Sequence, residues 1–275
     1  MEKMKNVTGV IPAAGSGTRV SPLPLSKELF PVSINEDGES GSGTESAGSY
    51  LRVASSYLAG QMIAAGAGKI FWIIRRGKWD IPDYYTKTEA GNGRFAWIVV
   101  NETESVSETI DKAYIFLEDQ IVLTGFPDLV ISPDNAFSIL LQKFNKSEAD
   151  VLLGLFPATE TASVDMVEFE SDSEKEIREI QSIRIKPETT SLEYTWLMAA
   201  WRPAFTRFLH DQLEDRENSL AKGAEHAKNS ELHLGYVINS AISEGYKVYG
   251  HLFRNGRYRD YGSKSGIKSI FSSYL

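Results

Sequence analysis

Residues Gly9–Val32 read GVIPAAGSGTRVSPLPLSKELFPV. The short apolar run Val7–Ile11 ends at Pro12 and opens into Ala13-Ala14-Gly15-Ser16-Gly17-Thr18-Arg19. Such a run has the length and β-branched character of a buried strand, and the glycine-rich residues after it have turn chemistry. Gly15 and Gly17 let the backbone turn tightly and approach a ligand closely, so that successive N–H groups can point at phosphate oxygens. Arg19 adds a forked cationic donor, and Lys27 a point charge. Together these residues read as a cradle for a triphosphate. Two standard glycine loops do not fit: Val20 stands where a dinucleotide fingerprint needs a third glycine, and no Gly-Lys-Ser/Thr of a P-loop is present.

Outward from this loop, short apolar runs alternate with helical patterns. Ile70–Ile74, Ala96–Val100, Ile121–Thr124 and Val151–Phe156 read as further strands, near-continuous in polarity as strands covered on both faces are. Between them, Tyr50–Ala67 has Leu51, Ala54, Leu58, Met62 and Ala65 at helical spacing. Ser105–Asp119 does the same with Val106, Ile110, Ala113, Tyr114 and Leu117, and Ser105 with Glu108 fits a capping box. Later come strands at Met166–Phe169 and Ile180–Ile185 about a charged turn. A helix face is next, at Leu234, Val237, Ile238, Ala241 and Ile242, closed by Gly245. A strand over Lys247–Phe253 then leads to a turn at Asn255-Gly256. This rhythm predicts an α/β fold: one Rossmann-like domain over residues 1–275, with a mixed, mostly parallel sheet and helices on both faces. Asn35–Ser49, rich in Gly, Ser and Glu, reads as a mobile surface loop.

Composition narrows the chemistry. The 275 residues include no cysteine, which removes disulfides, thiolate nucleophiles and Cys-ligated metals. With 29 Lys+Arg against 37 Asp+Glu, the net charge of −8 argues against a nucleic-acid surface but allows a local anion site. No apolar run approaches the roughly 20 residues that span a bilayer, and no targeting signal precedes the first strand. A cytoplasmic protein without a membrane partner is the expectation. The histidines lack metal-ligand spacing, so His210, His226, His233 and His251 read as surface or packing residues.

Gly15-Ser16-Gly17-Thr18-Arg19, Pro22 and Ser26-Lys27-Glu28-Leu29-Phe30-Pro31-Val32 resemble the signature of the sugar-phosphate nucleotidyltransferases, the nucleotide-sugar pyrophosphorylases. Ile185-Lys186-Pro187 is similar to that family's Glu-Lys-Pro element, and Asp260-Tyr261-Gly262 to its Asp-x-Gly element. Asp128 stands where the family places its first metal-binding aspartate. The resemblance implies a nucleotide-diphospho-sugar transferase fold, with the nucleotide-binding half before about residue 125 and the sugar-phosphate half after it. It further implies Mg²⁺-dependent transfer of a nucleotidyl group from UTP or dTTP to a sugar 1-phosphate.

On that reading Arg19 and Lys27 are catalytic, and Ala13, Ala14, Gly15, Ser16, Gly17, Thr18 and Asn101 bind the nucleotide. Lys186 holds the sugar phosphate, and Asp128 and Asp260 hold the metal. Arg19 and Asp128 are expected to line an open polyanion site, outside the core and with little bearing on folding. Self-association is left open. Three departures stand out: a short Arg19-to-Lys27 spacer, Gly125-Phe126-Pro127 before Asp128, and Ser107-Glu108-Thr109 at the base-binding step. The glutamate there either caps the helix or reads the base. Two alternatives therefore stay open: a silent nucleotide-sugar-binding homologue, or a cytidylyltransferase for a non-sugar alcohol phosphate.

Overall fold

A computed structural model describes residues 6–35, 50–88, 93–170, 175–221 and 232–271. The surface-loop expectation for residues 36–49, the tip of the charged turn and His226 lie outside them. The first half runs β1 (Val7–Ala13), β2 (Pro31–Asn35), β3 (Tyr50–Val53), α1 (Ala54–Ala64), β4 (Lys69–Arg75) and α2 (Asp80–Lys87). It continues with β5 (Phe95–Val100), α3 (Val106–Asp111), α4 (Tyr114–Leu117) and β6 (Ile121–Gly125). The second half begins with β7 (Leu129–Ser132), α5 (Ala136–Asn145), β8 (Val151–Pro157), β9 (Met166–Phe169) and β10 (Ile177–Arg184). It ends with β11 (Tyr194–Trp201), α6 (Pro203–Ala221), α7 (Leu234–Ser243), β12 (Val248–Leu252), β13 (Arg257–Asp260) and α8 (Lys264–Phe271).

Nine strands form one sheet in the order β5-β4-β1-β6-β11-β8-β12-β10-β9. Because successive side chains leave a strand on opposite faces, each apolar run feeds two cores. Ile70, Trp72 and Ile74 of β4 join the core with α1, α2 and α5; Phe71 and Ile73 join the core with α3, α4, α6 and α7. Helices thus cover both faces, as expected. Full burial of such a side chain stabilises the fold by roughly 1.5–3 kcal/mol, so the fully buried Trp72, Trp201 and Phe137 are major contributors. No helix among the described residues is long and apolar enough to cross a membrane.

The expectation of a mostly parallel sheet needs correction. Strands β5, β4, β1 and β6 are parallel, as is the β8–β12 pair, but β11 runs antiparallel to β6, β8 and β9, and β10 to β9 and β12. A single pairing, Met166 with Thr195, joins β9 to β11 and closes β11, β8, β12, β10 and β9 into a ring. Continuous apolarity in β8 and β11 reports burial on both faces, and burial does not specify direction.

Two helices also differ from their sequence reading. Leu51 lies on β3, paired with Ile34 and exposed, so the first helix begins only at Ala54. The Ser105–Asp119 pattern divides into α3 and α4, with tightened bonds from Ala113 N to Ile110 O and Phe116 N to Ala113 O.

Candidate active site

Strand β1 delivers the chain to the glycine loop at the carboxyl ends of the parallel strands, where ligands of open α/β sheets bind. Gly17 takes φ +69°, a backbone state that L side chains rarely adopt. Behind the loop, the buried Lys78 donates from Nζ to Ala13 O at 2.9 Å and to Glu28 Oε1 at 2.7 Å. Asp80, at the start of α2, accepts from Ser26 N at 2.6 Å and Ser26 Oγ at 2.7 Å. These contacts fix both ends of the loop and place Lys27 at the start of a 3₁₀ turn, Lys27–Leu29. Neither Lys78 nor Asp80 carried a sequence signal, because each lies on a different segment brought alongside only by the β1–β4 pairing.

On the opposite wall, the chain leaves β6 through Phe126-Pro127-Asp128 into β7, and β7 pairs antiparallel with β13 so that Leu129 faces Asp260. Tyr261 N donates to Asp128 O at 2.8 Å, and Gly262 N to Asp260 Oδ1 at 2.7 Å. A Cβ on Gly262 would lie 2.0 Å from Asp128 Oδ2 and 3.1 Å from Asp260 Oδ1. The two carboxylates therefore converge on one point, and only glycine leaves that point open.

Lys27 Nζ donates to Asp128 Oδ2 at 2.5 Å. Burial opposes ionisation of Asp128, which is only 6% exposed, but the Lys27 ammonium outweighs it and holds the carboxyl below its usual range, with Arg19 adding to the effect. Asp260 moves the other way: burial, then the negative charge of Asp128, push its carboxyl up. Burial likewise works against the charge on Lys27, yet Asp128 and Glu28 raise its pKa. Asp128 lines the cavity, but the expectation that the site leaves it open is corrected by its burial. It is a buried member of an ion pair, because β13 folds over it.

Arg19, Lys27, Ala14, Gly15, Ser16, Asp128, Asp260 and Lys186 all line one cavity of about 440 Å³. Lys186 reaches it from the far side with φ +39°, a strained state for a non-glycine residue. Gly17 borders a neighbouring recess with Ser16 and Lys27, Ala13 contributes its carbonyl to Lys78, and the exposed Thr18 and Asn101 are not among the lining residues. Thr103, Ser105, Val106 and Thr109 stand where Asn101 was expected. Glu108 caps: its N–H donates to Ser105 Oγ at 3.1 Å, while its Oε2 accepts from Glu104 N at 2.7 Å.

His210 and His251 pack as expected, His210 on Tyr114 and Asp111, His251 against Phe253. His233 does not follow that reading, since it precedes α7 and lines the cavity, as do Asp165 and Trp196. Sequence reasoning missed all three; nothing in their spacing links them.

Two hard carboxylates beside Arg19 and Lys27 suit Mg²⁺, which takes one or two carboxylates and completes its shell with phosphate oxygens and water. No cluster of three or more His, Asp or Glu side chains that could hold a metal alone occurs among the described residues. The donor set fits a metal that arrives with a polyphosphate.

No family model and no curated protein matches the sequence. Solved structures do match the fold. A UDP-glucose pyrophosphorylase complexed with UDP-glucose is 15% identical, with a TM-score of 0.74 over 98% of each chain. The UTP-bound UGPase from Acinetobacter baumannii is 16% identical, with a TM-score of 0.72 over 98% of this chain and 93% of the other. A putative glucose-1-phosphate thymidylyltransferase from Bacillus anthracis, in complex with a sucrose, is 14% identical, with a TM-score of 0.71 over 97% and 94%. The chain shares the fold of sugar-phosphate nucleotidyltransferases from end to end.

Proposed function

We propose that the protein is a nucleotidyltransferase that joins UTP or dTTP to a sugar 1-phosphate, with release of pyrophosphate. The observation that carries this reading is the convergence of Arg19, Lys27 and Lys186 with Asp128 and Asp260 around one cavity. Both substrates are polyanions, so the work of the site is charge neutralisation and in-line positioning rather than covalent catalysis. Two proteins of the same fold carry UDP-glucose and UTP.

Lys186, carried by the second half of the chain, holds the phosphate of the sugar. Its phosphate oxygen attacks the α-phosphorus of the triphosphate, and the bond to the bridging α–β oxygen breaks as pyrophosphate leaves. Arg19 and Lys27 stabilise the charge that grows on the departing group. Asp128 and Asp260 would hold Mg²⁺, which when bound would supply positive charge at the phosphates. Gly15 and Ser16 present backbone N–H groups to the triphosphate, and Thr103, Ser105, Val106 and Thr109 border the base.

The test is a panel of UTP, dTTP, CTP and ATP against hexose 1-phosphates and phosphocholine, read by pyrophosphate release with Mg²⁺ present. Turnover with a sugar 1-phosphate is expected. Turnover only with phosphocholine would replace the acceptor, and no turnover with any pair would remove the reading.

A further inference from the structure

The contact that closes the strand ring also builds part of the cavity. Met166 pairs with Thr195 in antiparallel register, so the next opposed positions are Asp165 and Trp196. The register of β11 against β8 shifts between Trp196 and Met198, and such an irregularity re-aims a side chain. Both residues line the cavity with Lys186 and His233. Ile185, which stands where the resembling element carries glutamate, turns away and packs against Gly235: a Cβ there would lie 2.4 Å from Ile185 Cδ1. The same Cβ would lie 3.3 Å from Asp165 Oδ2, so α7 backs the carboxylate from behind.

Two buried polar atoms here are unsatisfied. Asp165 Oδ1 and Trp196 Nε1 have no hydrogen-bond partner among the described residues, although the indole N–H lies near enough to favour the charged carboxylate. Burial raises the Asp165 carboxyl, and Lys186 and His233 pull it partly back. Trp196 is only 4% exposed. An orphan of this kind destabilises the site until a partner arrives. One is an acceptor and the other a donor. The group that satisfies both is a hydroxyl, which donates to the carboxylate oxygen and accepts from the indole N–H. An ammonium serves the carboxylate alone.

We infer that Asp165 and Trp196 read one hydroxyl of the sugar phosphate and set the specificity of the reaction, an inference that rests on the sugar 1-phosphate reading above. A site built around a hydroxyl rejects the analogue that lacks it far more strongly than an apolar pocket rejects a missing methylene.

The experiment compares, for the accepted hexose 1-phosphate, the parent with its monodeoxy and aminodeoxy analogues, in wild type, Asp165→Asn and Trp196→Phe, with thermal melts and UTP affinity alongside. In the wild type one monodeoxy analogue is expected to lose at least about 10²-fold in kcat/KM. In each variant the parent falls, the same analogue falls much less, and the ratio shrinks below about tenfold; UTP affinity stays near wild type, and the melts show that each variant is folded at the assay temperature. Three results overturn the inference while leaving nucleotidyl transfer intact: no monodeoxy analogue discriminated, discrimination unchanged in both variants, or the aminodeoxy analogue preferred over the parent. No turnover with any acceptor removes the functional reading and this inference with it. Trp196→Phe keeps an aromatic ring against Phe126 but loses the N–H together with part of the indole's bulk. Trp196→His, which restores a ring N–H, is therefore the second variant: it is expected to regain part of the discrimination that Trp196→Phe loses, and equal loss in both overturns the indole N–H's role.

Discussion

Arg19 and Asp128 lie on the same cavity but are held differently, and they are expected to fail differently. Arg19 is exposed and acts through its charge on Asp128, Asp260 and Lys27. Arg19→Ala is expected to lower kcat by about 10²–10³, the scale of one preorganised electrostatic donor. Triphosphate affinity falls much less, and the melting temperature does not change. Asp128 is buried and pairs with Lys27, so Asp128→Asn leaves an ammonium facing a neutral amide and costs about 1–3 kcal/mol in a melt. Part of its lost activity returns at high Mg²⁺ or with Mn²⁺, because an amide oxygen is a weaker ligand rather than none. Steady-state kinetics with a metal titration checks both; an inactive Arg19→Ala with lost triphosphate binding would mean that Arg19 serves the ground state instead.

Asp260 supplies the pH dependence. Its pKa is raised in the folded protein, so its ionisation costs stability; the cost is absent below the unfolded value near 3.9 and present above the raised one. A divalent cation shared with Asp128 would remove the repulsion. At a fixed UTP concentration, the rise in melting temperature given by Mg²⁺ is therefore expected to grow as pH climbs from about 4 to 7, and Asp260→Asn is expected to diminish that growth. Melts with and without Mg²⁺ across this range decide it: an increment independent of pH would dissociate Asp260 from the cation.

At the scale of elements, the site depends on the short ribbon of β7 and β13, which brings residues 128 and 260 together across more than a hundred positions of chain. Gly262 is the tightest point, since a Cβ there would meet Asp128 Oδ2 at 2.0 Å. Gly262→Ala is expected to push the carboxylates apart and to lower kcat/KM at least about tenfold, with Lys186-dependent sugar phosphate binding retained. Unchanged metal dependence in that variant would count against convergence of the two aspartates.

This ribbon also shows where sequence reading stops. The strand at Val7–Ile11, the loop and Lys27 were legible because their physics is local: apolar run, turn chemistry, cation spacing. The individual residues Asp128, Asp260 and Lys186 were legible only through resemblance. That Asp128 is buried, that Lys78 and Asp80 brace the loop, and that His233, Asp165 and Trp196 enter the cavity all depend on pairings between distant strands. Strand direction was equally hidden, since β11 is as apolar as a parallel strand would be.

For the whole molecule, the parallel half carries the anion loop and the largely antiparallel ring carries Asp165, Lys186 and Trp196, with β6 and β11 adjoining between them. Cations from both halves, Arg19 and Lys27 from the first and Lys186 from the second, thus line one cavity; under the proposed function they serve two separate anions, which transfer between bound substrates requires and simple hydrolysis does not. The most direct measurement is Mg²⁺-dependent pyrophosphate release from UTP or dTTP with and without a hexose 1-phosphate, products followed by ³¹P NMR. Release that requires the sugar phosphate, matched one for one by a new diphosphate diester and lost in Asp128→Asn at low Mg²⁺, is the predicted result. Release that proceeds equally without the sugar phosphate, or no diester in any pairing, would contradict it.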